Sequence, residues 1–292
     1  ATMYGVTVGV ARESISAGAL THTGNLAHEA DAFSERGRAG MTWDAPLVDH
    51  WKETTFLGYH RSNGQVGTAN HWLVIPMVFC ENRNVGAMRT AFERTLGYAK
   101  TSHYERLANR LASASREGAS PDELRAIELE NASTPPADRV FPHVDGIQFL
   151  THTLGCGGTR EDAEALCGLL AGYITHPNVA GATVLSLGCE NAELRILEEA
   201  VNKRDPKFSK PLLTFRQQSF QNERALLDTA IKETFLGLQE ANESRRSPAP
   251  LSELCLGVEC GGSDGFSGIS ANPTVGAVSD RLVALGGRVI LS

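Results

Sequence analysis

Five apolar runs, each closed by small and polar residues and each followed by a helix-like stretch, most narrowly limit what this chain can fold into. HWLVIPMVFC (71–80) is followed by CENRN and a helix expected from about Val85 to Leu96. VDGIQFL (144–150) ends in THTLGCGGTRED before a helix from about Glu161 to Tyr173, and ATVLSL (182–187) ends in GCENAE before one reaching about Val201. PLLTF (211–215) ends in RQQSF before a long helix from about Phe220 to Glu240. The fifth run, with Leu254, Leu256 and Val258, opens ELCLGVECGGSDGFSGISANP (253–273) and leads to a helix near Asn272 and Pro273. Strands alternating with helices predict an α/β fold, a mostly parallel sheet with helices on both faces. The first run is nearly all apolar, as a strand buried on both faces requires, although Pro76 inside it signals an edge or a bulge.

In such a sheet ligands bind outside the carboxyl ends of the strands. The reactive side chains fall there each time: Cys80, Glu81 and Asn82; His152 and Cys156; Cys189, Glu190 and Asn191; Arg216, Gln217 and Gln218; Cys260, Ser263 and Asp264. After the fifth run, Gly261, Gly262, Gly265 and Gly268 free the backbone to present N–H groups to an anion at a helix N-terminus, with Ser263 and Ser267 beside them. Asn82, Asn191, Arg216, Gly261, Gly262, Ser263 and Ser267 are therefore the candidate substrate contacts. The turn is not a dinucleotide or P-loop motif, because G-x-G-x-x-G and G-K-[ST] are both missing.

Four of the six cysteines, Cys80, Cys156, Cys189 and Cys260, stand at strand exits. Cys156, Cys189 and Cys260 on separate strands can supply three soft ligands, which favours iron or zinc over magnesium and leaves an iron–sulfur cluster open. Cys167, on an apolar helix face, and Cys255, inside a strand, read as core residues. No C-x-x-C pair occurs, and disulfides are not expected.

Around this frame, residues 1–27 alternate over short stretches like the end of a small β domain, 28–55 read as a linker, and 56–292 as the α/β domain. Ser62-Asn63-Gly64 marks a hairpin turn. The charged stretch 97–141 reads as a solvated helical insertion. Ala1 is not an initiator and Arg288–Ser292 reads as a strand just beginning, so a fragment of a longer protein is expected. A net charge of −7 and a pI of about 5.7 exclude a non-specific nucleic-acid binder. No apolar run approaches the roughly 20 residues of a membrane span, and no signal peptide opens the chain, so the expected location is cytoplasmic.

GYHRSNGQVGTANHWLVIPMVFCENRN, THTLGCGGTRED, HPNVAGATVLSLGCEN and ECGGSDGFSGISANPTVGAVSDRLVALGG resemble the altronate dehydratase and galactarate dehydratase family of sugar-acid hydro-lyases, from about residue 56 onward. YGVTVGVARESISAGALTHTGNL resembles the end of the family's small β-clip (SAF) domain. The resemblance implies dehydration of a hexonate or hexarate to a 2-keto-3-deoxy acid with a divalent metal, usually iron. It implies acid–base roles for His152, Glu190 and Asp264, with their order open, and brings His22 in as a metal or substrate contact beside Cys80, Cys156, Cys189 and Cys260. Gly24 stands where the family often has a second His, Ala69 where it often has Arg, and 97–141 is longer than expected. These departures bear on the substrate more than on the reaction. A lyase expelling another β-substituent, such as sulfite, and a non-catalytic anion-binding relative are the alternatives. The expected partner is a small sugar acid, with no nucleic acid or membrane, and a homo-oligomer is left open.

Overall fold

The computed structural model describes residues 2–3, 6–7, 9–29, 43–99, 102–128, 139–259, 261 and 266–292. The chain divides into two units, one made of residues 1–57 and 248–292 and the other of residues 58–247.

The first unit begins with short strands: β1 (Thr2–Met3) pairs antiparallel with β2 (Val6–Thr7), and β3 (Gly9–Ala11) with β4 (Leu26–His28). The second unit opens on the end of β5 (Thr55–His60), which turns through Ser62-Asn63-Gly64 into β6 (Val66–Gly67), the hairpin expected from sequence.

Its centre is a four-stranded parallel sheet. β7 (His71–Pro76) leads through a short 3-10 turn at Phe79–Glu81 into α1 (Asn82–Thr95). The charged segment supplies α2 (His103–Arg116) and α3 (Pro121–Arg125), both largely exposed, each started by a serine whose hydroxyl accepts the N–H three residues on. Then come β8 (Gly146–Phe149), α4 (Arg160–Thr175), β9 (Val179–Ser186), α5 (Leu194–Arg204), β10 (Leu212–Arg216) and α6 (Glu223–Ala241). Thr159 and Asp162 start α4 with a reciprocal capping box, and the Asn222 side chain caps α6.

The strands stand in the order β10-β9-β7-β8, all parallel. Alternation along β7 sorts the core. Trp72 and Val74 point into one cluster with α1 residues Val85, Met88 and Phe92 and α6 residues Leu226, Ala230 and Leu238. Leu73 and Ile75 point into the other, with Leu166, Leu170 and Ile174 of α4 and Ile196, Leu197 and Val201 of α5. Each such buried side chain contributes about 1.5–3 kcal/mol relative to exposure, so both sheet faces are anchored by helices. Every residue of β9 is buried, which explains its unbroken apolar and small-residue run. Pro76 marks neither an edge nor a bulge. It ends an inner strand, and the register irregularity falls at His71/Trp72.

From α6, β11 (Ser247–Pro250) leads back to the first unit, where β12 (Cys255–Val258) pairs parallel with β13 (Arg288–Leu291) across α7 (Ala271–Ala284). The expectation of a buried strand here is corrected. Cys255 is exposed, not core, and Leu256 is only partly covered. Among the described residues β12 and β13 form two strands with one helix, and one layer cannot bury both faces of a strand.

Candidate functional site

Chain order makes the site. β7 sends its connection to β8 on one side, while its other neighbour β9 sends its own connection away to β10. Adjacent strands whose connections diverge leave a crevice at their carboxyl ends, the ligand position of open α/β sheets. Four of the strand exits that the sequence singles out belong to this sheet.

At the exit of β9, Glu190 is buried to 6% exposure, yet both its oxygens are held. The Ser186 hydroxyl donates to Oε1, and the Gly188 N–H donates to Oε2 at 2.6 Å. Two donors, one on each oxygen, fix its direction.

At the exit of β7, Glu81 is completely buried with one donor, Asn84 Nδ2 at 2.8 Å on Oε2. Burial first, with the Glu190 and Glu223 charges adding to it, pushes its carboxyl above the ordinary range, against the Asn84 hydrogen bond. Glu81 Oε1, Asn82 Oδ1 and Asn84 Oδ1 are buried acceptors with no hydrogen-bond partner among the described residues. Such orphaned groups are costly in a finished interior and collect where a protein uses them.

At the exit of β8, His152 Nε2 lies 2.7 Å from the Pro76 carbonyl, while Nδ1 accepts the Leu154 N–H at 3.2 Å. That pair assigns the proton to Nε2 and engages both ring nitrogens. Asn82 Nδ2 donates to the His152 carbonyl at 2.8 Å, tying the β7 and β8 exits together.

Gly155 is the hub of the loop. Its carbonyl accepts the N–H groups of Asn191 and Ala192 at 3.0 and 3.1 Å, which joins the β8 and β9 exits. Its φ of 101° suits glycine, and a Cβ there would collide with the Met77 carbonyl. Asn191 Nδ2 donates to the Thr159 carbonyl at 3.0 Å, and Arg160 donates to the Asn191 carbonyl at 3.1 Å. A cavity of about 490 Å³ opens beside this loop, lined in part by Leu154, Gly155, Gly157, Gly158 and Asp162. Arg216, at the exit of β10, is exposed, and its side chain has no hydrogen bond or ion pair with a described residue.

The structure thus gathers Asn82, His152, Glu190, Asn191 and Arg216 on one edge of one sheet. Cys80, Cys156 and Cys189 share that edge and are exposed. Among the described residues no three His, Cys, Asp or Glu side chains come together as a metal-holding set. The set expected to hold iron includes Cys260, which lies outside the described residues, and no chemistry below runs through a metal. His22, whose Nδ1 accepts the Gly24 N–H at 3.0 Å, belongs to the other unit, as do Gly261 and Ser267. Cys260, Gly262, Ser263 and Asp264 lie outside the described residues. Asn84 and Ser186 were missed by sequence reasoning. The signals were a polar residue three after Glu81 on a helix and a serine closing an apolar strand.

A doubly wound α/β sheet with buried carboxyls and oriented amides at its carboxyl edge defines a class built to hold a small polar molecule there. Residues 58–242 match the family described as D-galactarate dehydratase/Altronate hydrolase, second domain, and residues 251–292 match D-galactarate/Altronate dehydratase, C-terminal. The chain belongs to this family.

It is 31% identical over 292 residues to the altronate dehydratase of Bacillus subtilis (strain 168), covering 99% of this chain and 48% of that relative. It is 28% identical over 289 residues to the altronate dehydratase of Escherichia coli (strain K12), again 99% and 48%. The galactarate dehydratase (L-threo-forming) of the same strain is 33% identical over 120 residues, which is 40% of this chain and 23% of that protein. The chain spans about half the length of the altronate dehydratases it matches.

Proposed function

We infer that this chain belongs to a hydro-lyase that dehydrates a polyhydroxy acid of the altronate or galactarate type to a 2-keto-3-deoxy acid. The observation that carries the reading is the buried Glu190 carboxylate, held by Ser186 and Gly188 at the crevice between the β7 and β9 exits. Family membership and the altronate dehydratase relatives support the substrate class.

The reaction removes a weakly acidic proton beside the substrate carboxylate and expels the neighbouring hydroxyl as water. The enol that remains tautomerises to the 2-keto acid. A base for the first step must be ionised, directed and shielded from bulk water. Glu190 is aimed by its two donors and buried, which suits it to this role. His152 holds its proton on Nε2 against the Pro76 carbonyl and orders the β8 loop, and it enters the chemistry only by exchanging one of its two hydrogen bonds. Asn82 and Asn191 keep the exits in register, and Arg216 offers a guanidinium unpaired among the described residues to a substrate carboxylate. Asp264 and His22 remain candidates for proton transfer and substrate contact. The divalent metal that the resemblance implies is given no step.

The test uses the complete polypeptide, prepared without air. Altronate, galactarate and a sulfonated hydroxy acid are supplied, 2-keto acid and sulfite are assayed, and bound iron is measured beside them. Formation of 2-keto acid from a sugar acid, lost in Glu190→Gln, is the expected result. Sulfite release alone, or no turnover from folded protein, overturns the reading.

A further inference from the structure

We propose that Glu81 and Asn84 are positioning residues that lock the Gln217 side chain so that its Nε2 donates to an oxygen of the bound substrate, which makes Gln217 a substrate-contacting residue. The proposal rests on the strand-end site being the seat of an oxygen-rich organic acid, as argued above.

The argument is one of donor and acceptor count. Glu81 Oε2 accepts from Asn84 Nδ2 at 2.8 Å. That nitrogen has a second hydrogen, and its other neighbour is Gln217 Oε1 at 3.3 Å. Turning the Gln217 amide over would set N–H against N–H. The oxygen of Gln217 is therefore occupied from below, and its NH2 group makes no hydrogen bond to any described residue.

Gln217 begins the short 3-10 turn Gln217–Ser219 directly after β10, and the next residue reaches back to the β9 exit, Gln218 N–H donating to the Leu187 carbonyl at 3.2 Å. Gln217 is half-buried and anchored at its side-chain oxygen. Glu81 is fully buried and Asn84 nearly so, so neither meets a ligand directly. Their effect on substrate passes through Gln217. A substrate that offers acceptors, a hydroxyl or carboxylate oxygen, satisfies the free NH2. An analogue lacking that oxygen leaves it unpaired, which is how a polar site discriminates.

The experiment compares Gln217→Glu, Asn84→Asp and the Asn84→Asp/Gln217→Ala double variant with wild type and Gln217→Ala, on the sugar acid that wild type turns over. Glutamate at 217 has the same shape but presents an acceptor, and aspartate at 84 can no longer donate in both directions. Expected is a rise in KM of about tenfold or more with kcat nearly kept in each single variant, and no further loss when Asn84→Asp is added to Gln217→Ala. Unchanged KM in Gln217→Glu, or full additivity in the double variant, overturns the proposal while leaving the dehydratase reading intact. If wild type turns over no sugar acid, that reading fails, and galactarate binding by calorimetry decides this one. Binding lost in Gln217→Glu and Asn84→Asp supports it, whereas binding unchanged in them, or missing in wild type, overturns it.

Discussion

The indole of Trp72, with no exposed surface, lies directly against Gly237 of α6, and a methyl group on Gly237 would overlap its ring. The same indole donates through Nε1 to Thr183 Oγ1 at 3.0 Å, and Thr183 in turn meets Thr234 Oγ1 at 2.7 Å. Two effects oppose each other in Gly237→Ala. Helix propensity alone favours alanine by about 1 kcal/mol. Overpacking a close-packed core costs about 1–3 kcal/mol, and here the ring is held from the far side by its hydrogen bond and cannot withdraw. Net destabilisation is expected, read as a lower urea midpoint, and a raised midpoint would show that the ring gives way.

Glu81 sets a pH dependence whose sign follows from its burial. The folded carboxyl is pushed above its ordinary value, chiefly by desolvation. As pH rises through the ordinary carboxylate range, the unfolded chain releases this proton and the folded chain keeps it, so Glu81 makes folding less favourable with rising pH until the folded carboxyl also titrates. Glu81→Gln removes that slope. The stability of the variant relative to wild type should rise from acid toward neutral pH in denaturant titrations, and a flat difference would show that Glu81 has no such effect.

Lys210 closes the far end of the sheet. Its Nζ donates to the carbonyls of Ile174, His176 and Val179 at 3.1, 2.7 and 3.0 Å, capping the end of α4. Burial first, and Arg61 second, depress its ammonium to about 7. Lys210→Met takes a donor from three carbonyls, of which that of His176 keeps the Val179 N–H at 3.0 Å, and a loss of about 1–3 kcal/mol is expected near neutral pH. Between that value and the ordinary lysine range the folded protein releases the proton while the unfolded chain retains it, so the wild-type advantage over Lys210→Met should grow with pH. An advantage that shrinks with pH would mean that the carbonyls hold the ammonium charged.

The parallel sheet was legible because β7 and β9 have no polar alternation to place, and a strand without it must be covered on both faces. The strand-exit rule then put Asn82, His152, Glu190, Asn191 and Arg216 on the edge where the structure has them, since it needs only the order of elements. It could not find Asn84. Whether Glu81 and Asn84 share a face depends on the 3-10 turn at Phe79–Glu81, which rotates the start of α1 and has no distinct sequence signal. Cys255 was misread for a different reason. An alternating strand records which residues share a face, but whether a second layer covers that face depends on distant parts of the chain.

Glu190 and Ser186 allow the base assignment to be separated from folding. Ser186 closes β9 and its hydroxyl donates to Glu190, so Ser186→Ala removes one of two donors and leaves the carboxylate buried with the Gly188 N–H alone. A carboxylate that loses a donor is less well aimed. Ser186→Ala should therefore lower kcat/KM while the protein stays folded, because aim is lost. Glu190→Gln keeps the volume and can still accept from Ser186, but it cannot take a proton, so kcat should fall by about 10²–10⁴ at every pH. If Ser186→Ala left kcat/KM unchanged while Glu190→Gln unfolded the protein, Glu190 would be a structural anchor of the β9 exit, and the base would have to be another residue, with His152 on the same edge the first to test.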